Sequence, residues 1–233
     1  MPFKAIFPNV YEFNSGPVNL WLVEDKDGLI LIDTHYRGKE TELLAAVAEL
    51  GKKPGDLHNI LLTHCHPDHV GSLAALKPLT KAQAWMHKAD AEVVRGRGTN
   101  VVANVSPGLA NRILFNMFIK NTSGAVDPTS IEHEVTDGEV LPFGGGMRAI
   151  HIPGHSAGHT AYFYPGSGGV IFAGDACSNM FGLDYSIVYE DIELARRSLD
   201  KLARLDFQGI CFSHGKVLKG KDVEKFKNKW TIQ

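Results

Sequence analysis

Apolar and polar positions fall in short blocks along this chain, and each block predicts an element. Val18 to Val23 and Leu29 to Ile32 are apolar runs separated by Glu24-Asp25-Lys26-Asp27-Gly28. An Asp-Gly between two such runs is a hairpin signal, so two antiparallel strands are expected to open the fold. Leu43, Leu44, Val47 and Leu50 then recur at helical spacing within Lys39 to Leu50, with Gly51 just past the end, which predicts an amphipathic helix. Ile60 to Leu62 reads as a buried strand. Ser72 to Leu76 starts a helix limited by Pro78, and Ala82 to His87 is a further strand.

A hairpin pattern resumes from Val135, around Asp137-Gly138 and Gly144-Gly145-Gly146, and leads into a strand from Met147 to Ile152. Gly169 to Asp175 is another strand. Asp191 to Leu205 is a helix with Ile192, Ala195, Leu199, Leu202 and Leu205 on one face, and Gly209 to Phe212 is a strand. The chain therefore does the same thing twice. In the first half a strand ends at Asp33, a helix crosses and a strand ends at His64; in the second a strand ends at Asp175, a helix crosses and a strand ends at His214. This architectural repeat predicts two similar β/α halves, each a sheet covered by helices. Without a Pro- or Ser-rich linker between them, the halves are expected to pack as one domain over 1–233.

The irregular stretch is 95–128, where Gly96, Gly98, Pro107, Gly108 and Gly124 surround an apolar run from Leu109 to Ile119. Ile113, Leu114, Met117 and Phe118 give that run an apolar helical face. A long insertion of this kind serves as a lid or pocket wall, packs on the core, or makes a homodimer contact, and its residues leave these alternatives open.

Bulk composition narrows the class. The chain has 233 residues, 44% of them hydrophobic, which is ample for a core. A net charge of -2 without a basic arm or like-charge block gives no footprint for nucleic acid. No apolar run reaches membrane-spanning length and the N-terminus has no signal-peptide pattern, so a soluble, cytoplasmic protein is expected. Cys65, Cys177 and Cys211 are odd in number and form no CxxC, so buried thiols are expected rather than disulfides.

Chemistry concentrates in Leu-Leu-Thr-His-Cys-His-Pro-Asp-His-Val-Gly, Leu61 to Gly71, where His64, His66, Asp68 and His69 follow a strand directly. Imidazole mixed with carboxylate suits zinc, iron or manganese more than calcium. Alternate residues of an extended chain point the same way, so His64 and His66 can share one ion while Asp68 and His69, beyond Pro67, face a second ion or the back of the same site. Asp33 reads as a turn cap or as the partner of a metal-bound histidine. His155 in Pro153-Gly154-His155, Asp175 and His214 are the other ligand-type residues at strand ends; His159 reads as structural, and His58, His87 and His133 as surface or capping residues.

Taken in order, Asp33, His64-x-His66-x-Asp68-His69, Pro153-Gly154-His155, Gly174-Asp175 and Ser213-His214 resemble the metallo-β-lactamase superfamily across nearly the whole chain. That resemblance implies an α/β fold, an αββα four-layer sandwich. It implies two divalent metal ions, with zinc commonest and iron or manganese also found: one held by His64, His66 and His155, the other by Asp68, His69 and His214, with Asp175 bridging. It implies a hydrolase whose metal-bridging hydroxide cleaves a carboxylic ester, lactone or thioester, with Asp68 and Asp33 as the residues that assist.

Within that family, antibiotic-hydrolysing members carry Cys or Ser where this chain has Asp175, so a lactonase or a glyoxalase II-like thioesterase fits better. Lactonases often have a tyrosine shortly after the bridging Asp, and here Ala176, Cys177 and Ser178 follow. The apolar run at Leu109 to Ile119 with Met180 and Phe181 suits a small-molecule substrate with an apolar part, favouring a lactone or ester. The Thr-His-Cys-His-x-Asp-His run also resembles that of the persulfide dioxygenases, mononuclear iron oxidoreductases in which His64, His155 and Asp175 would be the ligands. His214 favours the dinuclear hydrolase.

Overall fold

A computed structural model describes residues 2–98, 103–120 and 124–232. Four antiparallel strands come first: β1 (Lys4–Phe7), β2 (Val10–Ser15), β3 (Val18–Asp25) and β4 (Gly28–Ile32). The β3–β4 hairpin is the one the Asp-Gly signal predicts, with Asp25 opposite Gly28. The strands ahead of it lie outside the expectation. β1 is largely exposed and shows no apolar alternation, and β2 buries only part of one face.

Helix α1 (Glu40–Glu49) crosses over and returns the chain to β5 (Leu57–Leu61), parallel to β4. Then come α2 (Pro67–Val70), α3 (Leu73–Thr80), β6 (Gln83–His87) parallel to β5, and α4 (Lys88–Val94). Pro78 does not stop α3; it lies inside the helix, which ends on Lys81 at φ 60°. The proline costs one backbone hydrogen bond, and the helix continues because its far turn buries Leu76 and Thr80. Next are β7 (Asn104–Val105), α5 (Leu109–Leu114) running into a π-helical turn over Phe115–Ile119, and β8 (His133–Val135), which joins β6 in parallel.

The second half runs β9 (Arg148–His151), β10 (Thr160–Tyr164), β11 (Val170–Phe172), β12 (Val188–Tyr189), α6 (Ile192–Ala203), β13 (Gly209–Cys211), β14 (Leu218–Lys219) and α7 (Val223–Trp230). Asp191 caps α6 by accepting the Leu194 N–H at 2.9 Å. The expected repeat is present in the pairing: β4 lies parallel to β5 across α1, and β11 parallel to β13 across α6. Strands β10 and β14 and helix α7 complete the second half beyond what the pattern predicts.

Two large sheets result, in the orders β1-β2-β3-β4-β5-β6-β8 and β14-β13-β11-β10-β9, and β7 and β12 pair as a small two-stranded one. Both faces of each are buried, and the pleat divides the side chains. From β3 and β4, Trp21, Val23, Ile30 and Ile32 meet Tyr162, Val170, Phe172 and Cys211 of the other sheet in a core between the sheets. Their neighbours Leu20, Leu22, Leu29 and Leu31 turn outward onto Leu43, Val47, Leu73, Leu76 and Val94 of α1, α3 and α4. Ile171 and Ile210 of the second sheet pack outward on Leu199, Leu202 and Phe226 of α6 and α7. The order of layers is helix, sheet, sheet, helix. No helix among the described residues is long and apolar enough to cross a membrane.

Candidate metal centre

Parallel strands bring their carboxyl ends to one edge, and loops at those ends form the usual binding crevice of an α/β sheet. β4 delivers Asp33, β5 delivers Thr63 to His69, β11 delivers Asp175 and β13 delivers His214. β9 runs antiparallel to β10 and β10 antiparallel to β11, so β9 shares their direction and delivers His155. The seven side chains expected as ligands are brought together. Three overlapping groups, His64/His66/His155, His64/His69/Asp175 and Asp68/His69/His214, each place their ligand atoms within 4.8 Å of one another.

In the first group His64 Nε2 and His155 Nε2 each lie 3.0 Å from His66 Nδ1. The opposite nitrogens are committed elsewhere. His155 Nδ1–H donates to the Val188 carbonyl at 2.8 Å, and His64 Nδ1 meets the Thr63 hydroxyl at 3.0 Å. That hydroxyl donates to Asp33 Oδ2 at 2.8 Å, so it accepts from His64 Nδ1–H. Two lone pairs thus face His66 Nδ1, whose single hydrogen can satisfy one at most. Burial and then the neighbouring imidazoles push His64 well below its usual range, burial lowers His66, and burial with His66 pushes His155 down to about 3. These are neutral imidazoles, the form that binds a cation.

The second group is rich in charge. His69 Nε2 lies 3.6 Å from Asp68 Oδ2 and 3.6 Å from Asp175 Oδ1, and His214 Nε2 lies 3.4 Å from Asp68 Oδ2 and 3.3 Å from Asp175 Oδ2. Asp175 Oδ2 is also 3.4 Å from His155 Nε2, so this carboxylate reaches both groups. Burial opposes charge on His69, yet Asp68, Asp33 and Asp175 raise it well above its usual range. Against the same penalty, Asp175 and Asp68 lift His214 to about 10. His69 and His214 in turn hold Asp68 and Asp175 low.

A cation fits this cluster on its own evidence. His69 Nε2 and Asp175 Oδ1 are buried and, among the described residues, have no hydrogen-bond partner. Buried polar atoms without partners are rare, and an imidazole nitrogen 3.6 Å from a carboxylate oxygen, too far for a good hydrogen bond, is what a shared cation taking the proton's place would satisfy. The remaining imidazole nitrogens are anchored as ligating histidines require: His69 Nδ1 to Asp33 Oδ2 at 2.8 Å and His214 Nδ1 to the Pro17 carbonyl at 2.8 Å.

Asp33 itself is buried at 1% exposure, in the left-handed region at φ 64°. Such backbone is costly outside glycine and is kept where surroundings enforce it. Here the next residue, Thr34, holds the His69 carbonyl with both its N–H at 2.6 Å and its hydroxyl at 2.9 Å. Of the two sequence readings of Asp33, turn cap or partner of a motif histidine, the second holds: it faces Thr63 and His69, so it assists through them and not on a substrate. Gly174 is needed for close approach: at φ 54°, a Cβ there would meet His159 Nε2 at 2.6 Å. That buried nitrogen accepts the Asp175 N–H at 3.3 Å, which puts His159 behind the site.

The chain from 14 to 214 matches the family model described as the metallo-β-lactamase superfamily. The chain belongs to that superfamily. Among its curated relatives, an uncharacterised protein of Bacillus subtilis is 32% identical over 69% of this chain and 62% of its own length. A hydroxyacylglutathione hydrolase of Albidiferax ferrireducens is 28% identical over 84% of this chain and 61% of its own length. The chain thus spans about three fifths of the length of these two relatives. A subclass B3 metallo-β-lactamase of Bradyrhizobium japonicum superposes with a TM-score of 0.72 over 99% of this chain and 91% of that one, at 20% identity, which establishes the superfamily's fold here.

Four features of the site lie outside the sequence reading: the Thr63 hydroxyl, the Val188 and Pro17 carbonyls, and the buried acid Asp90. Thr63 sits inside the motif, but its role appears only once Asp33 is beside it. Backbone carbonyls carry no sequence signal at all. Asp90 had one, an acid on the same helical face as the buried Ala91 and Val94. His35 and His133 stand apart, one on the Ser15 carbonyl at 2.9 Å and the other stacked on Trp85 at 3.8 Å. Cys65, Cys177 and Cys211 are buried and form no disulfide.

Proposed function

We propose that the protein is a metal-dependent hydrolase that takes two divalent cations, zinc first with iron or manganese as alternatives, and cleaves a carboxylic ester, lactone or thioester. The carrying observation is Asp175, whose Oδ2 lies 3.4 Å from His155 and 3.3 Å from His214, within reach of both nitrogen groups at once. His64, His66 and His155 would hold one cation, Asp68, His69 and His214 the other, and Asp175 both. Cations held there would supply Lewis-acid chemistry: polarisation of a carbonyl, a lowered pKa for water and stabilisation of the leaving oxygen or sulfur.

The protein's own residues supply placement. Asp33 and Thr63 fix the tautomers of His69 and His64, so each presents a lone pair to the site. Asp68 is the most open of the three carboxylates, at 18% side-chain exposure against 7% for Asp175 and 2% for Asp33. That position suits it both to ligate and to orient water.

Leu109, Ile113, Met117 and Phe118 leave an exposed apolar face on the insertion, and Phe181 is exposed six residues after Asp175. A cavity of about 520 Å³ in the same insertion is lined in part by Val105, Phe115, Arg112 and Lys120. These features support a small-molecule substrate with an apolar part, while the hydroxyacylglutathione hydrolases among the relatives support a thioester. An iron dioxygenase using His64, His155 and Asp175 would leave Asp68, His69 and His214 assembled without a use.

The test is metal analysis with a panel of acyl lactones, aryl esters and glutathione thioesters, assayed on zinc-, manganese- and iron-loaded protein. Two ions per chain and turnover of one ester class are expected. A single iron with oxygen uptake would replace the hydrolase by the dioxygenase.

A further inference from the structure

Asp90 lies in α4, is 2% exposed, and turns its carboxylate toward two loops at once. Its Oδ2 accepts the Cys65 N–H at 3.0 Å and the Ser156 hydroxyl at 2.6 Å, and its Oδ1 accepts the Gly158 N–H at 2.6 Å. Cys65 stands between His64 and His66, and Ser156 follows His155 directly. The gripped residues therefore flank all three members of one nitrogen group. At the base of the loops the Thr160 N–H donates to the Thr63 carbonyl at 2.8 Å, which leaves Asp90 to fix their tips.

Burying a carboxylate is costly unless its oxygens are bonded, and donors on both oxygens meet that condition here. An asparagine cannot replace it, because an amide would turn N–H toward one of those donors. Gly158 carries the same message: a Cβ there would stand 2.5 Å from Asp90 Oδ1, so only glycine brings its N–H this close. We propose that Asp90 is a positioning residue for the cation site of His64, His66 and His155, setting the spacing between the His64–His66 turn and the His155 loop. This rests on the two-cation reading above. Among the described residues the Asp90 carboxylate bonds Cys65, Ser156 and Gly158, and not Asp68, His69 or His214, so its effect falls on one site and spares the other.

The test is zinc titration of the full chain against a chelator, with folding of the metal-free protein followed by circular dichroism. Wild type, Asp90→Asn and Ser156→Ala are compared, and Asp90→Asn is repeated in His155→Ala and His214→Ala backgrounds. Wild type should show two affinities. Asp90→Asn should weaken one by roughly 10–100-fold and leave the other in place. Ser156→Ala should shift the same one by less. In a double-mutant cycle, Asp90→Asn should keep its full effect on His214→Ala and add none to His155→Ala.

Equal weakening of both affinities, no change in either, or a full added effect on His155→Ala would overturn the proposal. Wild type binding a single ion would instead overturn the two-cation reading. If Asp90→Asn does not fold, Ser156→Ala decides: a shift confined to one affinity supports the role, and its absence overturns it.

Discussion

Asp33 and His69 form a buried pair, Oδ2 to Nδ1 at 2.8 Å, with side-chain exposures of 2% and 0%. The carboxylate fixes the hydrogen on Nδ1, so Nε2 is the nitrogen that faces Asp68 and Asp175 and would exchange its proton for a cation.

Asp33→Asn tests that pairing. An amide accepts the Thr63 N–H on one side only by turning its NH2 toward His69, which favours the wrong tautomer. Metal affinity or activity should fall roughly 10–100-fold with secondary structure unchanged. Chelator competition beside circular dichroism checks this, and unchanged affinity would show that the pair does not set the tautomer.

Asp175→Ala removes the one carboxylate within reach of both nitrogen groups. Direct loss of such a group should exceed the effect of its supports, so turnover should drop by more than ~100-fold and metal content should fall. The fold should survive, because Asp175 lies at the edge of the sheets and outside their apolar cores. Metal analysis with thermal unfolding separates the two effects.

The pH dependence of the metal-free protein follows from two opposed shifts. His155 is pushed down to about 3 from an ordinary 6.5, so below 6.5 the unfolded chain binds a proton that the folded chain refuses. Its contribution is present above 6.5 and is lost as pH falls towards 3. His214 is lifted from 6.5 to about 10, so its contribution is full below 6.5 and is lost as pH rises through 10. Thermal midpoints of the metal-free protein should therefore peak near the ordinary histidine value and fall on both sides. The alkaline decline should shrink in His214→Ala, with His69, also held above its usual range, carrying the remainder; an unchanged decline would assign it to groups other than His214.

The parts of this protein legible in the sequence are those with local causes. The β3–β4 hairpin follows from Asp27-Gly28, α6 from its apolar face, and the repeat from strands that end in Asp33, His64, Asp175 and His214. Elements stabilised by their neighbours escaped: β1 exposes most of its length, and α3 continues through Pro78 because tertiary burial overrides propensity. In the site, ligand-type side chains could be named in advance, whereas their orientation depends on the Thr63 hydroxyl beside His64 and on the Val188 and Pro17 carbonyls, 33 and 197 residues from His155 and His214, and a backbone carbonyl carries no side-chain signal.

The insertion supplies the last prediction. Ile113, Met117 and Phe118 are 51%, 67% and 47% exposed, so the expected apolar face is turned away from the core, while Leu114 is half-buried. β7 of the same insertion pairs with β12, Val105 opposite Val188, and the Val188 carbonyl holds His155. The segment is therefore tied to the metal centre through one strand. If its apolar face meets the acyl part of a substrate, each buried CH2 contributes about 0.8 kcal/mol, and kcat/KM should climb with acyl length until the face is covered. Met117→Ala and Phe118→Ala should flatten that climb and leave the shortest substrate nearly unaffected. A chain-length series on wild type and both variants measures it. An equal loss on every substrate would mean that the residues support the fold of the insertion, and a flat series in wild type would remove the acyl chain from this surface.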